Sequence, residues 1–128
     1  EPLGAACLLE SARAGTATAI PGALDTIMGG LRCGEVSRTA WPIVTAAYDA
    51  FVAIDDGWAR RAMLRLARAT GDDRPIACGP SGAAGVAALM ALHEDDALAP
   101  LRATLRLDAD TRAMAIITEG VTEPALYE

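Results

Sequence analysis

The sequence predicts an α/β fold, a three-layer α/β/α arrangement around a mainly parallel sheet. Segments with helical spacing alternate with short apolar runs of strand length, an order that calls for parallel pairing with helical crossovers. One such run, Pro75-Ile76-Ala77-Cys78, passes through Gly79-Pro80-Ser81-Gly82 directly into a long apolar helix. With 128 residues, 52% of them hydrophobic, the chain has material for one core rather than two. No repeat or linker-like stretch divides it, so residues 1–128 read as a single segment with no internal boundary.

The elements follow in order. Ala5 to Ala14 has helical spacing, and Pro21 to Gly34, which mixes apolar residues with glycines, reads as a loop-rich stretch. Arg38 to Ala50 carries Trp41, Val44, Ala47 and Tyr48 on one helical stripe, with Pro42 near the start, where a missing N–H is harmless. Phe51-Val52-Ala53-Ile54 reads as a buried strand stopped by Asp55-Asp56-Gly57. Trp58 to Ala69 is an amphipathic helix. Arg61, Arg65 and Arg68 share a solvated face, and Trp58, Ala62, Leu66 and Ala69 lie opposite. Pro75 to Cys78 is a second strand. The helix that follows, ending near His93, is apolar almost all round and needs cover on more than one side. Gly82 and Gly85 remove side chains on adjacent turns and permit close backbone approach. Leu98 to Leu107 is a further helix, and Arg112 to Thr118 a last strand that meets Glu119-Gly120.

Composition excludes several chemistries. Seventeen acids against 11 bases give a net charge of -6, the wrong sign for a surface that tracks nucleic acid or anionic lipid. All 11 bases are arginine. Without lysine this polypeptide can neither complete a P-loop nor form a Schiff base on a side chain. A single histidine, His93, excludes a His-rich zinc site and any two-histidine mechanism within one chain. Cys7, Cys33 and Cys78 form no CxxC pair and read as free thiols of a reducing cytoplasm. The longest apolar run, Gly82 to Leu92, is short of the roughly 20 residues that span a bilayer. No signal peptide opens the chain. The expectation is a cytoplasmic protein without nucleic-acid or membrane partners.

Ligands of an open parallel sheet bind beyond the carboxyl ends of its strands. Two such ends combine glycine with a hydroxyl, Gly79-Pro80-Ser81-Gly82 and Thr118-Glu119-Gly120. The first leads into a helix N-terminus, whose free N–H groups and dipole favour an anion or a polar ring substituent. Its glycine spacing is not the GxGxxG fingerprint. Pattern alone leaves open whether the turn holds a ligand or only joins strand to helix. The pairs Asp55-Asp56, Asp72-Asp73 and Asp95-Asp96 read as solvated caps rather than metal ligands.

Specific strings carry the reading further. Glu1-Pro2, Ala6-Cys7-Leu8 with Ser11, Asp25-Thr26-Ile27-Met28-Gly29-Gly30-Leu31, Cys33-Gly34-Glu35 and Trp41 resemble diaminopropionate ammonia-lyase. Phe51-Val52-Ala53, Gly79 through Gly85, and Thr118-Glu119-Gly120 with Thr122 and Tyr127 continue the resemblance in the same order. The runs at 25–35 and 118–127 are its most specific parts. That family consists of pyridoxal-phosphate enzymes of the tryptophan-synthase-β fold (fold type II), which eliminate ammonia from 2,3-diaminopropionate to leave pyruvate and a second ammonia.

The resemblance implies that this chain is the carboxyl-terminal part of such an enzyme. The Schiff-base lysine, the proton-transfer acid and the phosphate loop would lie upstream, so no catalytic residue is assigned here. It implies a pyridoxal-phosphate ring held between the Gly79-Pro80-Ser81-Gly82 turn and the start of Thr118-Glu119-Gly120. Gly79, Ser81 and Gly82 would then be cofactor-binding residues, and Thr118 the hydroxyl that meets the pyridine nitrogen. A neutral hydroxyl leaves that nitrogen unprotonated, which suits β-elimination. The chain departs from the family's pattern at Ile117, where a hydroxyl is common, and at Pro80, where relatives tend to carry glutamate. The expected partners are the missing N-terminal part of the enzyme and further copies in a homo-oligomer, a homodimer in this family. A different class also accommodates the pattern: a non-catalytic α/β assembly or remnant module.

Overall fold

In the computed structural model, which describes residues 1–122 and 124–127, the chain packs as two compact units, Glu1–Asp56 and Gly57–Glu128. The boundary falls between the first two residues of the helix Asp56–Arg68.

In the first unit a 3-10 turn (Leu3–Ala5) leads into α1 (Cys7–Ala14). The residue before α1 is alanine, which offers no capping oxygen. The Glu1 carboxylate caps the helix instead, accepting the N–H groups of Leu8 and Leu9, both at 2.8 Å. Ala5, Ala6, Cys7 and Ser11 are buried beneath it. The stretch from 21 to 34 is loop, as its glycines predict, except for one 3-10 turn (Gly29–Leu31). α2 (Trp41–Ala47) is only seven residues long and buries none of them. Of its apolar stripe Trp41 and Val44 are half-buried, while Ala47 and the following Tyr48 are exposed, as is Ile43 off the stripe. The Tyr48 and Phe51 rings lie 5.9 Å apart.

In the second unit α3 (Asp56–Arg68) buries Ala59, Ala62 and Met63 and exposes Arg61, Arg65 and Arg68, the expected division of faces. Arg61 lies over the Trp58 ring, 4.4 Å from its centroid, and pairs with Glu94. α4 (Pro80–Glu94) buries Pro80 through Ala83, Ala87, Ala91 and Leu92. Asp95, at its end, accepts the Ala97 N–H at 2.9 Å and caps a 3-10 turn (Asp96–Leu98) that runs into α5 (Ala99–Thr104). A last 3-10 turn covers Pro124–Tyr127.

The sequence-based expectation of a parallel sheet is corrected. No strand forms among the described residues. Phe51 to Ile54 makes a single parallel bridge, Pro2 to Ile54, closed by Leu3 N–H to Ile54 O (2.8 Å) and Ile54 N–H to Glu1 O (2.9 Å). Pro75 to Cys78 and Arg112 to Thr118 are not in a ladder at all. The physical reason is that a strand is defined by its neighbour: an apolar run supplies the conformation but not the partner's N–H and C=O groups. Other contacts stand in. The Ile76 N–H reaches back to Leu66 O at 2.9 Å. The Tyr127 hydroxyl accepts the Cys78 N–H (2.8 Å) and donates to the Cys78 carbonyl (2.6 Å). From Met114 to Gly120 exposure still alternates residue by residue, the period of a pleated chain covered on one side. Met114 and Ile116 face outward, 87% and 71% exposed. No helix among the described residues is long and apolar enough to cross a membrane.

Candidate functional site

The turn at residues 79–82 and the segment at 118–122 come together in the second unit. Gly79 is the residue before α4 and carries no side chain to cap it. The cap comes instead from Glu119. Its Oε2 accepts the N–H of Ser81 (2.9 Å) and of Gly82 (3.2 Å), and its Oε1 accepts the Thr122 hydroxyl at 3.1 Å. The Gly79 N–H reaches the Glu119 carbonyl at 3.3 Å. The anion that the sequence pattern allows at this helix N-terminus is thus a carboxylate of the chain itself. In the sequence Glu119 reads only as part of a strand exit. The signal that could have found it is the absence of Ser, Thr, Asp or Asn before Pro80, which leaves a fifteen-residue helix in need of an acceptor from elsewhere.

The glycines make this approach possible. A Cβ on Gly82 would stand 2.8 Å from the Glu119 carbonyl oxygen and 2.9 Å from its nitrogen, and one on Gly79 would stand 2.8 Å from the Gly120 oxygen. A Cβ on Gly85 would meet Ala115 at an ordinary 3.5 Å, so close approach is required at Gly82 and not at Gly85. Of the residues assigned to the cofactor, Gly79, Ser81 and Gly82 are buried around Glu119, and Thr118 is exposed beside it. A surface hollow of about 580 Å³ between Arg65, Leu66, Ala69, Arg74 and Ile76 takes no residue from either segment.

Burial opposes the charge on Glu119, but hydrogen bonds from the Ser81 and Thr122 side chains and the Gly82 and Ser81 N–H groups outweigh it. They hold its carboxyl below the ordinary value of 4.5. A depressed folded pKa means that the stabilisation is complete above that ordinary value and is lost as pH falls through the folded one. Melting temperature measured against pH should therefore fall below pH 4.5, and Glu119→Gln should remove part of that fall. Burial pushes the Cys78 thiol up, and the Glu119 charge adds to this, while the Tyr127 hydroxyl opposes it. Burial likewise pushes Cys7 up to about 11. Cys7 and Cys78 are buried free thiols in poor positions to act as nucleophiles.

The first unit holds the other distinctive run, residues 25–35. Asp56 accepts the Thr26 hydroxyl (2.6 Å) and the Ile27 N–H (2.9 Å). Thr26 in turn accepts the Met28 N–H at 3.1 Å, and Arg32 donates to the Thr26 carbonyl at 2.6 Å. Met28 is fully buried. The run is a polar lock around one methionine.

A family model described as pyridoxal-phosphate dependent enzyme matches residues 1–105. Diaminopropionate ammonia-lyase of Salmonella typhimurium (strain LT2) is 38% identical over 131 residues, covering 100% of this chain and 32% of the relative. That of Escherichia coli (strain K12) is 34% identical over 127 residues, covering 99% and 32%. The crystal structure of the E. coli enzyme in complex with an aminoacrylate-PLP azomethine reaction intermediate superposes with a TM-score of 0.84 at 34% identity, over 99% of this chain and 32% of that one. A threonine deaminase from T.th., 21% identical, superposes at 0.62 over 75% of this chain and 30% of its own, and shows a shared fold. The chain spans about a third of the length of the curated relatives it matches. It belongs to the pyridoxal-phosphate dependent enzyme family.

Proposed function

We propose that this chain forms the ring-side wall of a pyridoxal-phosphate ammonia-lyase that converts 2,3-diaminopropionate to pyruvate and ammonia. The observation that carries this reading is likeness along the whole chain to diaminopropionate ammonia-lyase, in sequence and in structure. The residues present fit one edge of the cofactor. Thr118 is exposed at the end of its extended segment. The N–H groups of Ser81 and Gly82 are engaged by Glu119, so the 79–82 turn backs the site as a wall rather than as an anion cradle. With no lysine, this chain offers no side-chain amine for covalent attachment.

When bound, pyridoxal phosphate supplies the electron sink for loss of a β-amine from an amino acid. The part of this chain is to orient that group and to leave its ring nitrogen facing a neutral donor, Thr118. The rest of the enzyme and a second copy are the partners of this reading, and the open Met114 and Ile116 side is a surface for such cover. The same exposure also favours the second reading, a non-catalytic assembly module.

The test is to supply 2,3-diaminopropionate and pyridoxal phosphate to the protein at its natural length and to measure pyruvate and ammonia. Release of both is expected, and the absence of both would leave the assembly reading. The 128-residue chain alone should form no lysine-type, borohydride-reducible adduct. Thr118→Val keeps the shape and removes the donor. It should weaken cofactor binding or slow elimination about tenfold, since about 1.4 kcal/mol is one decade and a hydrogen bond is worth about that much. Gly120→Ala is the steric control.

A further inference from the structure

We propose that Glu119 is a positioning residue for the cofactor wall: clamped on the N-terminus of α4, it sets where the Thr118 hydroxyl stands. The inference rests on the reading just given. Thr118 is one peptide bond from Glu119, in a segment that no ladder holds among the described residues. What fixes that segment is Glu119 itself. Its carboxylate spans the Ser81 and Gly82 N–H groups, its carbonyl takes the Gly79 N–H, and its backbone lies so close to Gly82 that a methyl group would not fit between them. Four contacts within one residue leave the segment little freedom to slide. The partner groups are rigid, being backbone at the start of a fifteen-residue helix. Thr122, three residues on, holds the other carboxylate oxygen, so the chain is gripped on both sides of Gly120. Charge adds to the two bonds from the Ser81 and Gly82 N–H groups, which carry the positive end of the helix dipole, but all of these contacts depend on the carboxylate reaching the helix.

Side-chain length is therefore critical and charge is secondary. Glu119→Gln keeps the reach and an acceptor oxygen. Glu119→Asp keeps the charge and loses the reach.

The experiment uses the protein at natural length and measures pyridoxal-phosphate affinity by titration of its visible absorbance, at a temperature well below each variant's melting point. Hydrogen exchange is followed in parallel at the Ser81 and Gly82 amides. Glu119→Asp and Glu119→Ala are expected to weaken cofactor binding about tenfold, the size of one charge-assisted hydrogen bond, with faster exchange at both amides and a shifted cofactor spectrum. Glu119→Gln should restore affinity to within about threefold of the parent. Thr122→Val, the milder variant should the others fail to fold, should weaken binding about threefold. Unchanged affinity and spectrum in the folded Asp and Ala variants, whatever their melting points, would overturn the positioning role. If Thr122→Val alone folds, unchanged affinity and spectrum there would overturn it equally. Failure of the unmutated protein to bind the cofactor would overturn the functional reading and this inference together, whereas Glu119-independent binding overturns the inference alone.

Discussion

Gly4→Ala is expected to disrupt the first unit outright. A Cβ at that position would stand 2.1 Å from the Asp25 carbonyl oxygen and 3.1 Å from its carbon. Both are backbone atoms, so no side-chain rotation relieves the overlap. Either the 3-10 turn at Leu3–Ala5 or the loop that begins at Asp25 must move. Neither is free to do so. The turn is tied to Ile54 through the Leu3 N–H, and the loop is held through Thr26 and Ile27 by Asp56. Overpacking a well-formed core costs about 1–3 kcal/mol, and a clash with fixed backbone belongs at or above the top of that range. Such a loss is a large part of a domain's stability. A thermal melt of the variant should lose most of its cooperative transition. A melt like the parent's would show that the turn and the loop do not lie as close as described.

Asp56→Ala is expected to release the 25–35 loop. The substitution removes two acceptors at once and leaves the Ile27 N–H and the Thr26 hydroxyl without their partner. Thr26 is buried, so its hydroxyl has no ready replacement in water. Hydrogen bonds to a charged group are worth about 1.5–3 kcal/mol each, and the pair should cost about 3–4 kcal/mol in chemical denaturation. A double-mutant cycle with Thr26→Val separates the two. The coupling should be a substantial part of the total, because Thr26 passes the interaction on to Met28. Additive losses would mean that Asp56 acts on Ile27 alone.

The helices were legible because their signal is local. The period of Trp58 to Ala69 shows the arginine face directly, and α3 exposes the residues it should. The glycine pattern at 79–85 announced a close approach, which Gly82 makes. Local signal also explains the shortfalls. α2 is half the length its stripe allows, and it buries no residue fully: only Trp41 and Val44 of the stripe find partial cover. The strands at 75–78 and 112–118 were apolar enough, but pairing is a property of two segments, and neither finds a ladder partner among the described residues. Glu119 was hidden for the same reason. Its partners lie 38 and 37 residues away, and nothing in Thr118-Glu119-Gly120 itself points to them. The Asp25 to Glu35 run stood out by resemblance and not by physics. Its logic depends on Asp56, 30 residues from Thr26, which the sequence shows only as one of a pair of acids in a turn.

The outward side chains of the last extended segment give the protein a chemical ruler. Met114 is 87% exposed, whereas Met28 and Met63 are buried at 0% and 1%. Thioether oxidation follows access to the oxidant. A brief peroxide pulse read by mass spectrometry would therefore mark Met114 first and the half-buried Met90 more slowly, and leave Met28 and Met63 as internal standards. Whatever settles over Met114 slows its oxidation in proportion to the time it stays there. A single methionine can then report occupancy of this face as a kinetic quantity, without a label or a tag, whatever the covering molecule is.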